Sequence, residues 1–176
     1  MKAFNLFKRN ESPVGIDAGR ITQDGVFKLQ VYRATGNKFM PYKADEPVFA
    51  KNLFVNAGMD YLALFQSTTP GSVMNHMLVG TISTAATLSN VVGSMGEVAR
   101  VTMATRTAAN NILTEVATFG GFLHGITSVS LREIGVVNHA GSGPNGTLRS
   151  RSVFASIILA DSDQLRVEYA TTCGSR

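Results

Sequence analysis

The sequence predicts an all-β protein, mainly an antiparallel β-sandwich or jelly roll with one short helix and an extended N-terminal arm. Three observations carry this expectation. Apolar residues alternate with polar ones over short runs, as in Phe27, Leu29 and Val31 against Lys28 and Gln30, the period of a half-buried strand. Such runs recur at short spacing between Gly, Asn and Asp clusters, the rhythm of sandwiches. No strand alternates with a long helical pattern, which argues against a parallel α/β sheet.

Taken in order, residues 1–24 mix charges with Pro13, Gly15 and Gly19 and read as an irregular arm. A strand over 26–33 follows, closed by Thr35-Gly36-Asn37, and Pro41 and Pro47 bracket an extended linker. Asn56 is placed to cap a short helix with Met59, Leu62, Leu64 and Phe65 on its apolar side. Beyond Pro70-Gly71, strands are expected over 74–79, 97–105, 112–119, 126–137, 153–159 and 165–169. Asn110-Asn111, a glycine-rich loop over 141–146 and Asp161-Ser162-Asp163 supply turns. This divides the chain into a basic arm, 1–51, with its strand and linker, and a sandwich body, 52–176.

Charge is distributed unevenly. All six lysines lie within residues 1–51, which hold nine Lys or Arg and five Asp or Glu. Residues 52–176 hold seven Arg and seven acids, about 11% charged against roughly 25% in ordinary soluble domains. Depletion of charge marks the buried centre of interfaces, so the body reads as one enclosed by neighbours. The arm's net charge of +4 reads as reach toward an acidic surface. Its positives are scattered among acids without the stripe of a nucleic-acid binder, so protein is the expected partner and nucleic acid is not. Phe4, Leu6 and Phe7 are candidate anchors in a neighbour's groove, and Phe27, Leu29 and Val31 are candidate contact residues.

No catalytic constellation emerges. Gly141-Ser142-Gly143-Pro144-Asn145-Gly146 has the form G-x-G-x-x-G, but a dinucleotide site needs a helix after it, and Thr147–Leu159 is strand-like. A kinase-type loop needs a later lysine, and none follows Lys51. His76, His124, His139 and Cys173 are not spaced as a zinc site. His76 reads as a packed histidine within a strand, and Cys173 is a poor nucleophile beside only Gly174-Ser175-Arg176. Asp161 and Asp163 read as a solvated hairpin turn rather than a glycosidase pair. Glu97 with Arg100, and Arg132 with Glu133, are candidate structural ion pairs. No enzyme, cofactor, metal or membrane span is expected, and one cysteine fits synthesis in a reducing cytoplasm.

A resemblance adds to this. Asn52-Leu53-Phe54-Val55-Asn56-Ala57-Gly58-Met59, Asn75-His76-Met77-Leu78-Val79-Gly80-Thr81, Glu97-Val98-Ala99-Arg100, Glu133-Ile134-Gly135-Val136 and Leu148-Arg149-Ser150-Arg151-Ser152-Val153-Phe154 stand in an order and spacing that resembles small head-decorating or tail- and fibre-associated proteins of tailed-bacteriophage virions. The chain departs from that group at Ile82, where a second glycine is common. The resemblance covers residues 52–170 and implies a β-sandwich that works by assembly on a virion. It implies homo-oligomers, a trimer or higher ring, and partners among the major capsid protein or tail proteins. Cement or decoration of the capsid is the first expectation, with a tail or baseplate adaptor as alternative. A carbohydrate-binding sandwich is a more distant one, since the chain has no Trp and four Tyr.

Overall fold

The computed structural model describes residues 21–35, 38–41, 47–60, 74–120 and 128–175. Eleven strands account for most of them: β1 (Ile21–Thr35), β2 (Lys38–Pro41), β3 (Val48–Lys51), β4 (Leu53–Phe54), β5 (His76–Gly80), β6 (Glu97–Thr102), β7 (Thr105–Ala109), β8 (Ile112–Gly120), β9 (Ser128–Val137), β10 (Leu148–Ala160) and β11 (Gln164–Ser175). The first sheet runs β2-β1-β11-β8-β7, with β3 also paired to β1; the second runs β4-β10-β9-β5-β6. Every pairing is antiparallel, and the sheets pack face to face. The protein is an all-β sandwich; these strand orders do not establish jelly-roll connectivity.

Alternation builds the core. Phe27, Leu29 and Val31 of β1 stand opposite Tyr169, Val167 and Leu165 of β11, and all six are buried. The rings of Phe27 and Tyr169 stack with centroids 4.1 Å apart. From the other sheet, Met77, Val79, Leu131, Ile134, Val136, Ile157 and Leu159 close on them. Each such side chain contributes roughly 1.5–3 kcal/mol by leaving water.

This placement corrects two expectations. Phe27, Leu29 and Val31 are 0%, 1% and 4% exposed, so the chain itself covers the face expected to meet a neighbour. Alternation reports that one face is buried and is silent about which layer buries it. Residues 21–51 are also not a separate arm: β1 lies inside the first sheet, between β11 and β2 with β3, and β2 and β3 flank the linker on either side. The rest of the arm, with Phe4, Leu6 and Phe7, lies outside the described residues.

Strands change sheet at corners. At Asn52 the chain passes from β3, paired with β1, to β4, paired with β10. Asn52 donates its backbone N–H to Gly25 O at 3.0 Å and its amide to the Tyr169 hydroxyl at 2.6 Å. A Cβ on Gly25 would stand 2.6–2.7 Å from those same side chains, so the corner needs glycine there. On the opposite side, the run read as one strand over 97–105 breaks at Met103-Ala104 into β6 and β7. Met103 N–H donates to Asn75 O at 2.8 Å and Ala104 N–H to Val116 O at 2.7 Å. The third corner is Asp161-Ser162-Asp163. It is not a solvated hairpin, because β10 and β11 belong to different sheets. Asp163 is buried, pairs with Arg33, and accepts from the Ala160 N–H at 2.9 Å; Asp161 is exposed.

Two expected turns stand where the residues place them. Asn110 and Asn111, at φ 52° and 63°, join β7 to β8, and residues 138–147 join the paired strands β9 and β10. Among the described residues the short helix covers 56–60. Val55 O accepts from Gly58 N–H and Met59 N–H, so the cap falls on Val55, one residue before the predicted Asn56. Leu62, Leu64 and Phe65 lie outside the described residues. This turn, residues 81–96 and the glycine loop lie over the outer face of the second sheet. There Val55, Leu78, Val92, Met95, Val137 and Leu148 form a second apolar cluster.

Candidate functional site

The outer side of the second sheet, around β6, holds the candidate site. Glu97 and Arg100 of β6 pair as the sequence predicts, through Nε to Oε1 at 3.0 Å and Nη2 to Oε2 at 2.7 Å. Arg100 then donates from Nη1 to His139 O (2.9 Å) and Asn145 O (3.2 Å), and from Nη2 to Gly143 O (2.9 Å). A guanidinium has five N–H donors, and all five are used. Glu97 returns a contact by accepting the Gly143 N–H at 3.1 Å. Gly143 and Gly146 take φ of 83° and 94°, conformations that favour glycine, so the G-x-G-x-x-G spacing answers to loop geometry. Asn138 caps the loop by accepting the Thr147 N–H at 2.6 Å.

Arg132 is not part of an ionic pair with Glu133. Consecutive strand residues point to opposite faces; Arg132 is exposed and Glu133 is fully buried. The partner of Glu133 is Arg151 on the neighbouring strand, with Nε and Nη2 at 2.9 and 2.8 Å from Oε2. Glu133 Oε1 accepts the backbone N–H groups of Ile82 (3.0 Å) and Gly96 (2.8 Å), while Arg151 reaches Asn90 Oδ1 and Thr84 O. The pair thus ties down both ends of residues 82–96.

A third cluster, also missed from sequence, links the sheets. Glu115 of β8 pairs with Arg149 of β10, and Arg106 Nε stands 2.9 Å from its other oxygen. The Arg149 guanidinium lies 5.3 Å over the Tyr169 ring. Burial pushes the Tyr169 hydroxyl above its ordinary range, although Arg149 opposes this. The available signal was positional: arginines at 149 and 151 within an apolar strand of a charge-poor body are there to meet buried acids.

A cleft of 720 Å³ lies between residues 92–95, Glu97–Arg100 and 140–144. Its two charged lining residues, Glu97 and Arg100, neutralise each other; the rest are apolar or small. His76, at the edge of this region, is buried, and its Nδ1 has no hydrogen-bond partner. Burial first, then the Arg100 and His139 charges, hold its pKa below 6.5. It is a packed histidine, as its strand context implies. The cleft's chemistry is that of a binding surface: apolar walls, saturated charges and a backbone edge.

Elsewhere the surface carries isolated apolar residues, among them Phe49, Ile158, Leu88 and Val91 at 54–63% exposure. Among the described residues no group of three His, Cys, Asp or Glu is placed to hold a metal ion, and no helix is long and apolar enough to cross a membrane. Comparison with family models, with curated proteins and with solved structures finds no match in any of the three.

Proposed function

We propose that this chain is a non-enzymatic structural protein of a tailed-phage virion, a β-sandwich tile that oligomerises and stabilises or decorates the capsid. The observation that carries the reading is where the body's charges go. Of fourteen charged residues in 52–176, ten are held in ion pairs within the chain: Glu97, Arg100, Arg106, Glu115, Glu133, Arg149, Arg151, Asp163, Arg166 and Glu168. Asp60, Arg132 and Asp161 are the exposed charges outside those pairs among the described residues. An exterior with so little charge is poorly defended against association and has the character of an interface centre. The resemblance over residues 52–170 supports a virion as the setting.

The mechanism is burial of uncharged surface between copies and against a larger shell, assisted by the segment before β1. The test is the mass of the purified protein by light scattering, read with its copy number in isolated particles. A trimer or higher ring present in hundreds of copies is expected for a capsid tile. A dozen copies or fewer would move the same tile to the tail as an adaptor. A monodisperse monomer without affinity for particles would overturn the reading.

A further inference from the structure

Among the described residues the second sheet ends at β6, whose single partner there is β5. The 720 Å³ cleft is lined by Glu97, Val98, Ala99 and Arg100 in succession. Successive strand residues point to opposite faces, so a cleft that touches four in a row follows the backbone edge of the strand. An edge there offers unpaired N–H and C=O groups, which proteins ordinarily guard with outward charges. Here the two charges of the stretch, Glu97 and Arg100, are turned onto each other and the glycine loop. Val92, Met95, Ala140 and Pro144 supply apolar walls.

We propose that this cleft accepts an extended strand added to the edge of β6, and that the strand is residues 2–9 of a second copy of the chain. The proposal rests on the assembly reading above and names its contact. Strand addition of this kind draws affinity from main-chain hydrogen bonds and specificity from pockets for alternate side chains. In Lys2-Ala3-Phe4-Asn5-Leu6-Phe7, Phe4 and Leu6 fall on one side of an extended chain, spaced to meet the cleft wall. Twenty residues precede Ile21; extended, they span up to about 65–70 Å. The body is about five strands wide, roughly 20–24 Å, so the segment reaches well past it.

The cleft lies between residues 92–95 and 140–144, an arrangement that flanks a single added strand on both sides. Position favours a neighbour. β1 and β6 lie on opposite sides of the sandwich, at the β3–β4 and β6–β7 corners. Origin and acceptor on opposite sides make a head-to-tail contact, the kind that closes into rings.

The test uses two full-length proteins, both with Cys173→Ser, one with Leu6→Cys and the other with Ser142→Cys. After mixing and oxidation by glutathione disulfide, a disulfide-linked heterodimer is expected, since the bond needs Cα atoms within about 4.4–6.8 Å. Thr107→Cys, on the exposed strand β7, replaces Ser142→Cys as control and is expected to give none. Equal yield at both positions overturns the proposal. So does a bond that forms only when both cysteines share one chain, or no bond in a preparation that light scattering shows to be oligomeric. A monomeric preparation removes the assembly reading along with it.

Discussion

Arg100 holds three carbonyls and one carboxylate in place with a single planar group. Replacing it with Ala leaves the half-buried Glu97 carboxylate and three carbonyls without this donor, and losing hydrogen bonds to a charged group costs about 1.5–3 kcal/mol. A fall of that size is expected in the urea unfolding free energy of Arg100→Ala. Arg100→Lys restores only part, because a lysine has three donors on one point and no fork. The Glu97–Arg100 contact was legible because its partners are three residues apart on one strand. The pairs Glu115–Arg149 and Glu133–Arg151 were not, because 34 and 18 residues separate them; the packing of one sheet on the other joins the first pair, and the β9–β10 register joins the second. His76 adds a pH dependence. Its folded pKa lies below 6.5, so the unfolded chain takes up the proton first as pH falls. Its stabilising contribution is complete above pH 6.5 and declines as pH drops through the lower folded value. The drop in urea midpoint between pH 7.5 and 5 is expected to be smaller in His76→Leu than in the parent protein.

Strands were legible where one face is apolar and the other polar, as in β1 and β11, whose inward residues Leu29 and Val167 lie opposite each other. The limits of strands were harder to read. β10 begins at Leu148 rather than near Val153, because Arg149 and Arg151 look like surface residues until their buried partners are known. Corners were also hidden: Thr105 continues the alternation of β6 in sequence, yet lies in the other sheet. Local pattern gives the pleat and carries no information about which layer a strand joins. The turn between β7 and β8 was legible because asparagine tolerates positive φ. Asn111, at φ 63°, is therefore a sensitive position. Asn111→Val places a β-branched side chain in the left-handed region, and a loss of about 1–2 kcal/mol is expected in thermal or urea unfolding.

At the scale of the molecule, buried ion pairs organise the interior, while the described exterior of the body carries few unpaired charges among Ser, Thr, Ala and scattered apolar residues. Association through such a surface is governed by apolar burial, which salt does not screen. Raising sodium chloride from about 0.05 to 1 M, where the screening length falls to about 3 Å, is expected to leave the mass of the proposed oligomer unchanged. Dissociation by salt would show that the arm's charges hold the copies together instead. The ladder between β1 and β11 runs to its last rung, with Ile21 opposite Ser175. The polypeptide therefore enters and leaves the sandwich at one shared pole. The chain just upstream of residue 21 and just downstream of residue 175 starts out side by side, so a group inserted directly at either point meets the other.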